Sequence, residues 1–396
     1  MRKVLFISYY FSPCKSVGGS LRSVKFVELL REFGWEATVI ALNSVANKDN
    51  SEIFPNVLRY NSLTPYSRPY QITPYGWALK IWLEIKKSTV SNVFDLIYVT
   101  CPPFPQIISA ILLKKYYSIP LVIDFRDAWL LNPYQKNDFV NYWLNKLFFT
   151  FVERWAISNC DYLILNTPSV LAAYQNKYPN LAARMTLLPN GFDERDFTFG
   201  SGYIEKSDHL NLLYCGSFGT GGRNPKKLLL AIQKFIKSGA KIRLTIVGDQ
   251  PEIIVKNIET LGLPDNVQIK KEIEHSRAIK AMMQTDVLLL YQGESQSNTQ
   301  AIAGKTYEYL RTGKPILSIA PPGDNQTIVK RYARRCELIY DYDVEKIYSA
   351  LERFYKEWES DNLCSFYNVD EDYLLKFEHR TLTSKLSEIF NNVIIE

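Results

Sequence analysis

Histidine, methionine and paired cysteine are all scarce in this chain. Its 396 residues include three histidines, four methionines and six cysteines. His209, His275 and His379 lie far apart in sequence, which argues against a histidine-built zinc site. Cys14, Cys101, Cys160, Cys215, Cys336 and Cys364 include no C-x-x-C pair, and three of them fall in or at the ends of apolar runs, as buried free thiols do. No run of eighteen apolar residues occurs, so no transmembrane helix is expected. A strong excess of one charge is also missing. Lys and Arg number 47 against 41 Asp and Glu, a net charge of +6. That balance suits an anionic partner such as a nucleotide or a phospholipid surface and is too mild to indicate nucleic acid. Finally, no G-x-G-x-x-G follows the first apolar run, which speaks against a nicotinamide-dependent dehydrogenase.

What is present is an alternation. Short apolar runs at 3–10, 36–43, 95–101, 120–125 and 161–167 are each followed by a helical pattern or a further run, and the helix over 21–33 is the clearest. This predicts an α/β fold with parallel sheet covered on both faces. The stretch 199–210 is polar, Gly-containing and unpatterned, as a linker is. Alternation then restarts with runs at 210–216, 242–248, 267–271, 286–292 and 315–320. The expected architecture is two doubly wound, Rossmann-like domains facing across a cleft. Their expected extents are 1–198 and 199–370, with a helix in 371–396 running back over the first. The start, MRKVLFISYYFSPCKS, has the basic end and apolar run of a signal peptide, but Ser8, Ser12 and Lys15 interrupt it and no small-residue cleavage site follows. A first strand and a cytoplasmic protein are the expectation.

Ligands of such sheets bind outside the carboxyl ends of the strands, so charged and Gly-rich segments there are site candidates. Gly18 and Gly19 form a turn between strand and helix, suited to an anion or simply to a tight turn. The segment VIDFRDAW (122–129) ends a buried strand with Asp124, Arg126 and Asp127. A carboxylate beside an arginine stays ionised and can orient a hydroxyl or accept its proton; the alternative is a structural ion pair. Pro189-Asn190-Gly191 reads as a turn. The richest candidate is YCGSFGTGGRNPKK (214–227), where a strand ends at Gly216, Ser217 follows, and Arg223, Lys226 and Lys227 open a helix. Backbone amides, a helix start and fixed cations together suit a diphosphate. In GKTYEYLRTGKPILSI (304–319), Glu308 lies one turn into a helix whose neighbours are apolar. A buried carboxylate without a task is expensive, and one there can accept two hydrogen bonds from a ribose diol.

This ordered set, GG before a helix, DFRDAW, LPNGFD, YCGS with GRNP, and GKTYEYLRTGKPIL, resembles the GT-B glycosyltransferases over nearly the whole chain. It is most similar to the family 4 retaining group that builds bacterial surface polysaccharides such as O-antigen, capsule and exopolysaccharide. The resemblance implies transfer of a sugar, of hexosyltransferase type, from a UDP- or GDP-sugar to a glycan or lipid-diphosphate acceptor, without a metal. It places the ribose on Glu308. It sets Gln300 where the family has a second glutamate contacting the donor sugar, and the amides of Ala301, Ile302, Ala303 and Gly304 near sugar and phosphates. Gly18, Gly19, Gly216 and Ser217 fall on loops facing the diphosphate. Arg223 takes the basic phosphate position, with Lys226 or Lys227 beside it. The first-domain histidine of many members is missing, and Arg126 and Asp127 occupy that region. Arg126, Asp127, Arg223 and Lys226 are thus the expected catalytic residues. Two other readings share the fold: a nucleotide-sugar epimerase, which would want more cleft carboxylates and histidines, and a non-catalytic partner subunit. Two aromatic and basic stretches, 66–87 and 141–155, suit either peripheral contact with the inner face of a membrane or ordinary core packing.

Overall fold

The computed structural model describes residues 1–12, 19–43, 54, 56–64, 73–87, 94–131, 142–197, 207–219, 221–363 and 374–395. The chain divides into two compact units, Met1–Asn190 with His379–Glu396, and Gly191–Glu378. The sequence reading set the boundary at 198–199. The units divide earlier because Phe192 and Phe197 are buried in the second unit's core, and the Phe192 amide donates to the Phe377 carbonyl at 3.0 Å. Part of the expected linker, 199–206, lies outside the described residues.

In the first unit, strands β1 (Arg2–Ile7), β2 (Trp35–Leu42), β3 (Val57–Tyr60), β4 (Leu96–Cys101), β5 (Leu121–Phe125), β6 (Tyr162–Leu165) and β7 (Met185–Leu187) form one sheet. Its order is β3-β2-β1-β4-β5-β6-β7, and all pairings are parallel. Leu5 and Ile7 face one apolar cluster, which holds residues of α2 (Thr73–Lys87), α3 (Gln106–Tyr117), α4 (Tyr142–Asn159) and α5 (Pro168–Lys177). Val4 and Phe6 point the other way, as strand alternation requires. There they meet α1 (Gly19–Leu29) and the terminal helix, numbered α12 below (His379–Ile395). Leu382, Leu386, Ile389, Phe390 and Val393 recur at helical spacing and bury one stripe of that terminal helix against this face.

The second unit repeats the plan. Strands β8 (Leu210–Cys215), β9 (Ile242–Val247), β10 (Val267–Lys270), β11 (Val287–Tyr291), β12 (Ile316–Ile319) and β13 (Cys336–Ile339) lie parallel in the order β10-β9-β8-β11-β12-β13. Leu212, Tyr214, Leu289 and Tyr291 point to the side of α6 (Lys226–Lys237), α7 (Glu252–Thr260) and α11 (Val344–Glu359). Leu213, Leu288 and Leu290 point to the side of α8 (His275–Gln284), α9 (Gly304–Thr312) and α10 (Asp324–Tyr332). The chain thus leaves β8 for one face and β11 for the other. That divergence opens a crevice at the carboxyl ends of these two strands. In the first unit the corresponding neighbours are β1 and β4.

A buried ion pair locks the first unit below its own crevice. Arg22 of α1 pairs with Asp124 of β5 at 3.1 Å, and both side chains are almost wholly removed from water. Tyr98 of β4 donates to the same carboxylate at 2.5 Å, and burial first, then Asp124, pushes its phenol well above the ordinary range. Arg22 also donates to the Leu188 carbonyl at 2.9 Å and to that of Pro189. Arg22→Met should therefore strand a buried carboxylate. We expect a loss of roughly 3–5 kcal/mol from the first unit's urea transition. A loss below about 0.5 kcal/mol, the range of surface substitutions, would contradict the assignment.

Candidate functional site

The second unit's crevice is built where β8 and β11 end. After β8 the chain turns at Gly216, whose φ of +145° suits glycine alone. Gln250 fixes the turn: its amide nitrogen donates to the Gly216 carbonyl at 2.9 Å, and its oxygen accepts the Phe218 amide at 2.9 Å. The Gly-rich loop closes by a bond from the Gly219 amide to the Arg223 carbonyl at 2.7 Å. Asn224 then starts α6, its side-chain oxygen accepting the Lys226 amide at 3.0 Å.

The loop after β11 lies against this one, backbone to backbone. A methyl group at Gly293 would meet the Gly221 carbonyl oxygen and come within 2.6 Å of the Gly222 carbonyl carbon. Tyr291 ties the two strand ends further by donating to the Asn224 carbonyl at 2.6 Å. Beyond a 3-10 turn, Gln296–Gln300, the chain enters α9. The Ala303 amide is held by Asn325 Oδ1 at 3.3 Å, while Ile302 is buried in the core beneath. Gln300 is half-buried at the end of the 3-10 turn, and Gly304 is exposed at the first position of the helix. The positive end of the α9 dipole therefore opens into the crevice.

Two side chains of α9 face this place. Glu308 is 9% exposed, and one carboxylate oxygen lies 3.4 Å from Nε2 of His275 at the start of α8. The same imidazole nitrogen lies 3.4 Å from Asp196. Lys305, one turn before Glu308, donates to the Cys215 carbonyl at 2.7 Å and lies 3.8 Å from the centre of the Tyr214 ring. Burial drives its ammonium down to about 7; Arg223 adds to that shift, and Cys215 and Glu308 oppose it. Burial likewise pushes the Tyr214 hydroxyl up to about 12, with Arg223 acting against it. Arg223, Lys305 and Glu308 thus form one electrostatic group around Gly216. Lys226 is exposed on the first turn of α6, and Lys227 is drawn to Glu294 at 3.2 Å.

In the first unit, Gly18 lies outside the described residues, and Gly19 begins α1. Asp124 is consumed by the Arg22 pair described above. Arg126 is buried: its amide donates to the Cys101 carbonyl at 2.8 Å and its guanidinium to the Pro102 carbonyl at 2.7 Å. Asp127 stands exposed on the next position. Crowding by surrounding atoms removes part of its water and raises its carboxyl from the ordinary range, while Arg126 opposes the shift. The loop carrying both is held from below by Glu153 of α4. That buried carboxylate accepts the Leu130 amide at 2.9 Å, the Tyr174 hydroxyl at 2.9 Å and the Tyr178 hydroxyl at 3.0 Å. Trp129 stacks on Phe104 with ring centres 4.6 Å apart.

Residues 17–196 match the model of Glycosyltransferase Family 4, and residues 204–368 match that of Glycosyl transferases group 1. The chain belongs to the GT-B glycosyltransferases of the family 4 type. No curated protein matches its sequence. Solved structures similar to this glycosyltransferase include HepE of Anabaena in complex with UDP and glucose, at 15% identity over 99% of this chain and 100% of that one, with a TM-score of 0.69. Sucrose-phosphate synthase from Thermosynechococcus elongatus is similar at 14% identity over 100% of both chains, with a TM-score of 0.73. The lipopolysaccharide outer core galactosyltransferase WaaB in its apo form is similar at 14% identity over 99% of both, with a TM-score of 0.63. Likeness at this level of identity speaks for the fold.

Of the glycosyltransferase's sequence candidates, Gly216, Arg223 and Glu308 are brought together around one crevice, with Ser217 following Gly216 in the same turn. Sequence reasoning passed over Lys305, His275 and Asp196. Lys305 was within reach, because residues three apart on a helix share a face. The other two come from elements remote in sequence, and nothing local marks them. Among the described residues, no group of three or more His, Cys, Asp or Glu side chains is placed to hold a metal ion.

The lowered ammonium pKa has a direct consequence for stability. Between about 7 and the ordinary 10.5, the unfolded chain keeps a proton on Lys305 that the folded chain has lost. The contribution of this residue to stability therefore rises with pH across that window. Denaturation of the wild type and Lys305→Met at pH 6.5, 8 and 9.5 should show the difference between them moving in favour of the wild type as pH rises. A pH-independent difference would contradict the shift.

Proposed function

We propose that this glycosyltransferase moves a sugar from a UDP- or GDP-linked donor to a glycan or lipid-linked acceptor, with retention at the anomeric carbon, in the assembly of bacterial surface polysaccharide. The observation that carries the reading is Glu308, a nearly buried carboxylate one turn into α9, beside the β8–β11 crevice. In this reading it accepts hydrogen bonds from both hydroxyls of a ribose, while Arg223, the turn at Gly216 and the start of α9 take the diphosphate. HepE has been solved with UDP-glucose, which makes a uridine donor the first to test.

In the reaction the bond between the anomeric carbon and the diphosphate oxygen breaks, and its electron pair leaves on that oxygen. The acceptor oxygen bonds to the anomeric carbon from the same face, and its proton passes to the departing phosphate. The main task of the protein is to hold the charge that develops on the leaving group. Preorganised amides and a fixed guanidinium do this well where water is excluded. Gln300, a neutral donor and acceptor, contacts the sugar in this reading. The reading assigns no metal.

Thermal unfolding against a panel of UDP, GDP and their sugars tests the donor site. A ligand at about a hundred times its dissociation constant adds roughly 2.7 kcal/mol to the wild type. Glu308→Ala should lose most of that shift while melting normally without ligand. Equal stabilisation of the mutant would remove Glu308 from the site. With a turned-over donor, proton NMR of the first product reports the anomeric configuration, and an inverted product would refute retention.

A face of the first unit supports contact with a bilayer. Leu79 and Leu83 of α2, Tyr116 of α3, and Leu147 and Phe151 of α4 are all exposed, Phe151 at 69%. Lys86 lies 5.5 Å from the Trp82 ring and 5.4 Å from that of Tyr116, and Lys115 lies 5.6 Å from Trp155. Apolar side chains, amphipathic rings and lysines on adjoining helices suit an anionic lipid surface. Residues 66–72 and 141 of the two aromatic stretches lie outside the described residues. No helix among the described residues is long and apolar enough to cross a membrane. Leu147→Glu with Phe151→Glu should abolish sedimentation with phosphatidylglycerol vesicles and leave nucleotide binding intact. Undiminished sedimentation would contradict the membrane assignment.

A further inference from the structure

Lys305 has a position that the donor reading above does not use. Its Nζ lies under the last residues of β8, bonded to the Cys215 carbonyl and set against the face of Tyr214. Directly beside it runs Gly216. A side chain there would begin 3.1 Å from Nζ and 3.3 Å from the Tyr214 hydroxyl. The bare glycine therefore puts no side chain between the buried amine and the turn that leads to the Gly-rich loop and Arg223. An ammonium has three protons to place, and among the described contacts the Cys215 carbonyl takes one. A diphosphate oxygen seated over Gly216 would take another.

The charges around Lys305 come from every element packed on it. Arg223 faces it from the loop after β8, Cys215 from β8 itself, and Glu308 from its own helix. His275 of α8 faces Glu308 instead. Burial and Arg223 disfavour the ammonium. An anion offsets both by supplying opposite charge and a hydrogen-bond acceptor.

We propose that Lys305 is a diphosphate-binding residue of this site and that its amine takes up a proton when a nucleoside diphosphate binds. The proposal rests on the donor reading. The proton comes from solvent onto the nitrogen lone pair, and no covalent bond to the ligand forms. Because the complex holds a proton that the free protein lacks above neutral pH, affinity falls as pH rises, approaching about tenfold per pH unit where the uptake is complete.

Isothermal titration calorimetry with UDP and with GDP, at pH 7 to 9 and in two buffers of different ionisation enthalpy, tests this. The wild type should take up most of one proton at pH 8 and bind more weakly as pH rises. Lys305→Arg, whose charge is fixed, should bind with no such uptake and a flatter profile. Lys305→Met should bind at least tenfold more weakly and also without uptake. The difference between wild type and Lys305→Arg removes any proton change of the nucleotide itself. If the wild type binds but all three proteins show the same uptake and affinity, the proposal fails and the donor reading stands. If the wild type binds neither nucleotide, both fail. Should both variants unfold, amine labelling of the wild type decides. Reactivity of Lys305 that rises through neutral pH and is suppressed by UDP supports the proposal; reactivity that UDP leaves unchanged overturns it.

Discussion

Close approach of two backbones at the ends of β8 and β11 is the constraint on which the second unit's site depends. Parallel strands that send their connections to opposite faces leave a gap between those connections. Here the gap is narrowed until Gly293 touches the carbonyls of Gly221 and Gly222. The same crowding recurs one strand over, where a methyl group at Gly248 would lie 2.9 Å from the Gly216 carbonyl oxygen. With no side chains at these points, the loops pack backbone against backbone. Tyr291 and Gln250 then hold the two loops by bonds to backbone carbonyls, so the loops are placed by the sheet.

That geometry has an electrostatic cost and a use for it. Lys305 and Arg223 are positive groups drawn together beside a helix start that is also positive. Part of the cost is removed when Lys305 gives up its proton, as its lowered range shows. A site whose cations oppose each other when empty gains most from an anion with several charges. The first unit handles buried charge differently. Arg22 and Asp124 satisfy each other, and Glu153 is surrounded by donors from Leu130, Tyr174, Lys177 and Tyr178. Those groups hold loops in place, and the Glu153 network reaches the segment that carries Arg126 and Asp127.

Much of this organisation can be read in the sequence. The central strands announce themselves because both faces are buried, as in VLLLY of β11. The edge strands β3 and β13 were missed: Arg59 and Glu337 break the apolar runs of VLRY and CELI, and each is held by partners that only the fold supplies. Glu308 was legible as a carboxylate among apolar neighbours, and the loop after Gly216 as a run of glycines before cations. Of the three charged residues at the end of β5, pattern alone could not tell which were structural. Asp124 and Arg126 look alike in sequence to Asp127, yet only Asp127 stands exposed. His275 and Asp196 become neighbours of Glu308 through tertiary packing, which no local spacing encodes.

The most direct test of the central claim is a crystal structure of the protein with UDP bound. The account places the ribose hydroxyls within hydrogen-bond distance of Glu308, with the diphosphate over the Gly216 turn between Arg223 and Lys305. A nucleotide bound with its ribose away from Glu308, or its phosphates outside the β8–β11 crevice, would contradict it.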